Sequence, residues 1–430
     1  MQTRTASLEQ DSFSRKLVAS RLVRSLADAL LRRRARRRLA ALDREAPARL
    51  QLRTLLGLVH RARGTRFGLD HDFRRVRTAD DFRRLVPLRS ASALWREYGA
   101  PVLPSLSGAT WPGPVHYLAS CETTAGEPAA PLPVSPELVA AHREALGTAL
   151  AFVHHARPRA RLLSGALLLV GGGAALTPLR PVAAADTLEE LARSQLPRLL
   201  RPYTAISPYS GDAALKALAE RAASLPVTCL ASNSGRLAKL AGFLREQTGR
   251  ATLREVWPNL QAVLFSRGPS DPDRAELTHL TGSEEVLLLE ACVRPEGVFA
   301  VEDPRHGLLR LMAGHGAYFE FVPLDELGRD RPERLGLGEV APGVPYALVL
   351  TVPGLWACLA GLTVSFERLD PPLLRSVEVG LPAPPPTEVL PLRGGPPAYP
   401  PPHHPRSAGT AAGPARSFAR SPWSARADQR

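Results

Sequence analysis

The segment Ser120-Cys-Glu-Thr-Thr-Ala-Gly-Glu-Pro128 gathers the hydroxyls of Ser120, Thr123 and Thr124 beside Gly126. Hydroxyls and unobstructed backbone N–H groups at this spacing are the donors that cradle phosphate oxygens. The preceding Val115-His-Tyr-Leu-Ala119 reads as extended, and Ser135-Pro136-Glu137 reads as a helix start, with Ser as cap and Pro at the first helical position. A strand, a hydroxyl-rich loop and a helix are a common way to hold a polyphosphate. Plain turns use the same residue types, so the loop alone names no ligand.

The elements that must position this loop are spread over 430 residues, a length that suggests two to three domains. No apolar run reaches the roughly 18–20 residues needed to span a bilayer. Arg4, Glu9, Asp11, Arg15 and Lys16 interrupt any signal-peptide core, so a cytoplasmic location is expected. Cys121, Cys229, Cys292 and Cys358 stand far apart, which argues for reduced thiols and against a zinc site or disulfide framework. The net charge of +14 sits at the ends. Residues 1–60 carry 14 Lys/Arg against 5 Asp/Glu, residues 381–430 carry 6 against 2, and the stretch between is close to neutral at +1. A nucleic-acid enzyme would carry basic charge on its folded body, so nucleic acid is not the leading partner. Lysine occurs only at 16, 216 and 239, against 52 arginines, so no ammonium follows Lys239 to act on a phosphate.

Residues 12–62 read as helical, with apolar positions at Leu17, Val18, Leu22, Leu26, Leu30 and Leu31. The run Arg32–Arg38 wraps all sides of that helix and is either solvated or a contact for an acidic surface. From 63 to about 375, short apolar runs alternate with amphipathic ones, the pattern of an α/β domain. Strands are predicted at Ala160–Val170, Pro226–Leu230, Gln261–Phe265, Leu287–Ala291, Leu308–Met312, Ala317–Val322, Tyr346–Thr351 and Leu362–Phe366. Helices are predicted over 136–155, 186–200, 212–224 and 234–248. Residues 381–430 hold 13 prolines and little that could pack. The domain expectation is a basic helical segment over 1–50, a large domain over 51–375, and a Pro-rich, basic, disordered tail over 376–430.

Several stretches in one order carry a resemblance. They are Gly64-Thr-Arg-Phe-Gly68, Phe82…Val86-Pro-Leu88, Trp111-Pro-Gly113, the 120–128 loop and Glu255-Val-Trp-Pro-Asn-Leu260. Glu290–Asp303, Gly307–Pro323 with its Tyr318-Phe-Glu-Phe-Val-Pro323, and Gly354-Leu-Trp…Gly361…Val364-Ser-Phe366 continue it. Over roughly 50–375 the chain resembles a divergent, bacterial-type member of the auxin-responsive-promoter (Gretchen Hagen) family of acyl acid amido synthetases, part of the adenylate-forming superfamily. The resemblance implies an α/β fold, the large N-terminal lobe of an adenylate-forming enzyme with mixed sheets flanked by helices. The proline-rich tail stands where relatives carry a small C-terminal domain, so that domain is expected to be missing. The implied activity is ATP-dependent activation of a small carboxylic acid and transfer of the acyl group to an amino acid. The implied cofactors are ATP and Mg²⁺. Ser120, Thr123, Thr124, Gly126, Gly268 and Glu296 are the implied nucleotide-binding positions, with Glu296 also the implied metal contact.

The motifs depart from the family's pattern at the positions that carry charge. Where members read Ser/Thr-Ser-Gly-Thr-Thr-Ser-Gly-x-Pro-Lys, Glu122 replaces a glycine and Ala129 the basic residue. A carboxylate beside a triphosphate costs on the order of 1–4 kcal/mol per charge pair at about 4 Å. Ala-Ser-Glu-Gly becomes Arg294-Pro-Glu-Gly297, and His-Gly-Gly becomes Ser266-Arg-Gly268. The motif Gly-Leu-Trp/Tyr-Arg-Tyr-Arg/Lys-x-Gly-Asp, whose Asp grips both ribose hydroxyls, becomes Gly354-Leu-Trp-Ala-Cys-Leu-Ala-Gly-Leu362. Leu362 cannot accept a hydrogen bond, and Ala357 and Leu359 replace basic residues. No catalytic residue is identified as retained. Two readings follow: a ligase with impaired or lost catalysis, or a non-catalytic binding or scaffold protein on the same fold whose basic ends engage an acidic partner.

Overall fold

The computed structural model describes residues 21–115, 117–121, 129–170, 177–178, 204–206, 211–268 and 271–381. Its helical opening comprises α1 (Arg21–Leu42), α2 (Pro47–Ala62), α3 (Arg66–Asp70), α4 (Ala79–Leu85) and α5 (Ala91–Leu94). The sequence reads as one helical stretch over 12–62, but the helix breaks between Leu42 and Pro47. Pro47 cannot continue a preceding helix, and Ala46 is extended with ψ of 129°. Polar caps set the short helices: Thr65 accepts from Gly68 N, and Thr78 and Asp81 form a reciprocal capping box.

Next come β1 (Tyr117–Cys121), β2 (Ala130–Val134) and α6 (Pro136–Ala156). They are followed by β3 (Ala166–Leu169), β4 (Thr177–Pro178), β5 (Thr204–Ile206), α7 (Asp212–Ala222), β6 (Val227–Asn233), α8 (Ser234–Thr248), α9 (Leu253–Val256), β7 (Ala262–Ser266), α10 (Arg274–Thr281) and β8 (Leu287–Arg294). The last strands are β9 (Gly297–Asp303), β10 (Leu308–Leu311), β11 (Tyr318–Pro323), β12 (Pro345–Val352), β13 (Leu355–Leu369) and β14 (Pro372–Val379). β14 spans residue 376, where the tail is expected to begin; the predicted helix over 186–200 lies outside the described residues.

A small sheet has the order β2-β1-β4, and an 11-stranded sheet runs β11-β12-β13-β14-β10-β9-β8-β7-β6-β3-β5. Strands β5, β3, β6, β7 and β8 are parallel, and the remainder of the large sheet is antiparallel. The parallel strands are covered on both faces, which explains their continuous apolar runs. Leu168, Leu230, Val263, Phe265 and Leu288 pack with Leu218, Leu237 and Leu277 from α7, α8 and α10. The alternate residues Leu167, Cys229, Ala262, Leu264 and Leu289 pack with α1 and α6 through Ala35, Leu39, Phe152 and Val153. The side-chain period of two thus sorts one strand between two cores. β3 starts later than the predicted Ala160 because Leu162–Ser164 forms a 3₁₀ turn. Gly165 then passes so close to the neighbouring chain that a Cβ would lie 1.9 Å from Pro226 O.

β8 changes partner along its length. Leu287–Glu290 pair with β7, whereas Ala291–Arg294 pair with β9. β8 thus lies between β7 and β9 and joins the parallel half of the sheet to the antiparallel half. The antiparallel half carries a third core, where Phe67, Phe73 and Phe82 surround Trp356. Among the described residues no helix is long and apolar enough to cross a membrane.

Candidate functional site

The hydroxyl-rich loop joins β1 to β2, whose ends pair as Ser120↔Pro131 and Cys121↔Ala130. It is therefore a hairpin connection, and β2 stands between it and the helix start at Ser135. That helix N-terminus is already served locally, because Ser135 Oγ accepts from Leu138 N at 3.1 Å. Ser120 is half-buried at the end of β1. Glu122, Thr123, Thr124 and Gly126 lie outside the described residues.

Two other predicted positions follow the carboxyl ends of adjacent parallel strands. Gly268 lies just beyond β7, where its N–H donates to Asp271 Oδ2 at 3.0 Å. The same carboxylate accepts from Ser234 Oγ at 3.2 Å, and Ser234 also donates to Ser266 O. Arg267 beside them pairs with Glu290 at 3.0 Å. Asp271 was not singled out from sequence, although Asp two or three residues after a Gly-containing loop is a regular acceptor for its backbone.

Glu296 sits in the tight β8–β9 turn, 4% exposed, with its carboxylate 3.9 Å from the Arg294 guanidinium. Burial holds His142 of α6 neutral, and its Nε2 must be the donor to Pro295 O at 3.1 Å, because a carbonyl only accepts. The turn is thus tied to the helix that follows the loop. It also lies near β13, since the Glu296 charge adds to the burial that pushes the Cys358 thiol up to about 12. Burial likewise pushes Cys229 and Cys292 up to about 12, leaving three inert thiols.

The third motif is built into the core. Leu362 is 1% exposed and pairs across to Val379. Ala357 is fully buried in a left-handed conformation, φ 48°, with its N–H on Thr351 Oγ1 at 2.9 Å. The chain at Arg89 lies alongside as an extra strand: Arg89 N donates to Ala357 O, and Leu359 N to Arg89 O, each at 3.1 Å. Trp356 is held by its indole N–H on Thr110 O at 3.0 Å.

Between β2 and the β12–β13 turn is a small apolar recess with an internal volume of about 10 Å³. Trp95, Thr110, Pro131, Pro133, Gly354 and Leu355 line it. It lies between the strand that receives the hydroxyl-rich loop and the start of the third motif, and it has room for about one water molecule rather than an organic acid.

The described residues do not fit a nucleotide and Mg²⁺ in the manner the resemblance implies. The aliphatic Leu362 stands where the resemblance implies a ribose-gripping carboxylate, and a ribose hydroxyl buried there without a partner would cost about 1–3 kcal/mol. Glu296 faces a guanidinium whose charge opposes a divalent cation. Among the described residues no group of three or more His, Cys, Asp or Glu side chains could hold a metal.

Comparisons with known proteins agree with this frame. The GH3 family N-terminal domain matches residues 37–170, and the GH3 family central domain matches 310–376. No curated protein sequence matches the chain. Among solved structures, AtGH3.15 acyl acid amido synthetase in complex with 2,4-DB superposes with a TM-score of 0.55 at 13% identity, over 79% of this chain and 69% of that one. An open conformation of 2-hydroxyisobutyryl-CoA ligase in complex with 2-HIB-AMP and CoA gives 0.52 at 14% identity, over 76% and 67%. At such identities these likenesses establish the fold. Residues 37–170 and 310–376 thus carry GH3 family domains, and the chain has the architecture of the large lobe of adenylate-forming enzymes.

Proposed function

We propose that this chain is an adenylating-ligase relative with impaired or lost adenylation. The observation that carries the reading is Leu362, buried to 1% exposure at the position the family gives to the ribose-gripping carboxylate. Ala357, packed to zero exposure, leaves no room for the arginine that would stand there. Arg267, Arg89 and Arg294 each face a carboxylate, respectively Glu290, Glu97 and Glu296. Positive charge near the site is therefore already compensated, whereas phosphoryl chemistry draws its rate from positioned charge.

The second reading is a working acid–amino acid ligase using ATP and Mg²⁺, with Ser120, Thr123, Thr124, Gly126 and Gly268 at the nucleotide and Glu296 at the metal. It is favoured by the family and by the amido synthetase and CoA ligase neighbours. Calorimetry with Mg-ATP, alongside carboxylate-dependent ATP–pyrophosphate exchange over a panel of aliphatic and aromatic acids, separates the two. The proposal expects exchange at background with every acid. Robust exchange with any acid would establish the ligase.

A further inference from the structure

α1 turns a strongly basic face to solvent. Its inward side is fixed at four places: Arg24 donates to Ser164 O, buried Asp28 accepts from Leu163 N, Arg32 donates to Ala160 O, and Arg38 pairs with Glu144. Ala27, Ala35 and Leu39 bury between these contacts. Arg32 and Arg38 are therefore structural, although they belong to the same sequence run as the outward arginines.

On the opposite side Arg33, Arg34, Arg36 and Arg37 are exposed and make no hydrogen bond or ion pair with a described residue. Leu26 and Leu30 share that side at 63% and 45% exposure. At about 100° per residue, these six side chains fall within an arc of ~160°. The other exposed residues on it are Ala29, Ala40 and Ala41, so the arc carries four positive charges and no acid. The helix can neither neutralise the arginines itself nor bury the two leucines against its own core.

We propose that this face of α1 docks on an anionic lipid surface. Charge complementarity supplies the attraction, since each basic side chain near an acidic leaflet adds to binding and the sum falls off with ionic strength. The leucines select lipid over nucleic acid. Side chains at the centre of a basic arc can enter the acyl boundary of a bilayer, but a phosphate backbone offers them nothing. The intervening alanines let the helix lie flat. The proposal is independent of whether the GH3 site binds an acid.

Vesicle flotation of the full chain tests it, using phosphatidylcholine vesicles with and without phosphatidylglycerol. The wild type is expected to float only with the anionic vesicles and to be released by salt. Joint replacement Arg33→Gln, Arg34→Gln, Arg36→Gln and Arg37→Gln should weaken binding at least tenfold. Leu26→Ser with Leu30→Ser should weaken it severalfold at unchanged salt dependence. Both sets change only exposed side chains, and circular dichroism checks that α1 persists. Unchanged flotation of the arginine set would overturn the proposal, as would binding to duplex RNA without binding to vesicles.

Discussion

In the proposed reading, Leu362 stands where a ribose-gripping carboxylate is expected. It is buried in a closely packed sheet, so returning a carboxylate there cannot recreate a ribose contact without unfolding the surroundings. Leu362→Asp is expected to cost about 4 kcal/mol in urea unfolding, because an unpaired charge would be buried. Leu362→Ala should cost about 3 kcal/mol by leaving a cavity. If the Asp variant instead kept wild-type stability and gained affinity for Mg-ATP, this stretch of β13 would face a cleft. The identities at 357, 359 and 362 were legible in sequence as lost polar groups. Their burial was not, because it depends on Arg89 pairing with β13 from more than 250 residues away.

At the scale of elements, single polar residues join helices to strands. Gln51 of α2 is 2% exposed and brackets β11, accepting from Phe319 N at 2.7 Å and donating to Ala317 O at 2.9 Å and to Ala313 O. Gln51→Leu should cost about 3 kcal/mol in denaturant unfolding, since three backbone groups lose a buried hydrogen-bond partner. Asp43, at the break after α1, performs a similar service by meeting both Arg305 and Arg310 at 2.6 Å. β6, β7, β8, β11 and β12 were legible because both of their faces are apolar. β9 was missed because Gly297 and the acids Glu302 and Asp303 break its apolar run, and β14 because its outer half alternates with exposed residues. The acids in β9 are tolerated through partners remote in sequence, such as Arg274 on Glu302.

For the whole molecule, pH sensitivity follows from two histidines beneath α1. Burial, aided by Arg32, depresses His154 to about 4, and burial, aided by Arg38, depresses His315 to about 4. Both are neutral when folded and gain a proton more readily when unfolded. Their contribution is fully present above the unfolded value of 6.5 and declines as pH falls toward 4, by up to about 1.4 kcal/mol per pH unit for each. The lowered carboxyls of Asp43, Asp303 and Glu144 add losses below the ordinary carboxylate range. Asp28, raised by burial, works in the opposite direction there. Thermal melts should therefore fall between pH 6.5 and 4.5, and the slope should flatten in His154→Leu. An unchanged slope in that variant would remove His154 from the account.

The order of motifs and the two-faced apolar runs were enough to determine the GH3 frame and its α/β character, since burial on both faces leaves a direct mark on residue type. The sequence also shows that basic and acidic groups expected around a nucleotide are absent. Only the tertiary structure decided that the hydroxyl-rich loop caps a hairpin, that β8 joins the parallel half of the large sheet to the antiparallel half, and that Arg32 and Arg38 face inward while their neighbours face solvent. Each of these depends on which distant segment lies alongside, and a linear pattern records a residue's own preference without recording what meets it.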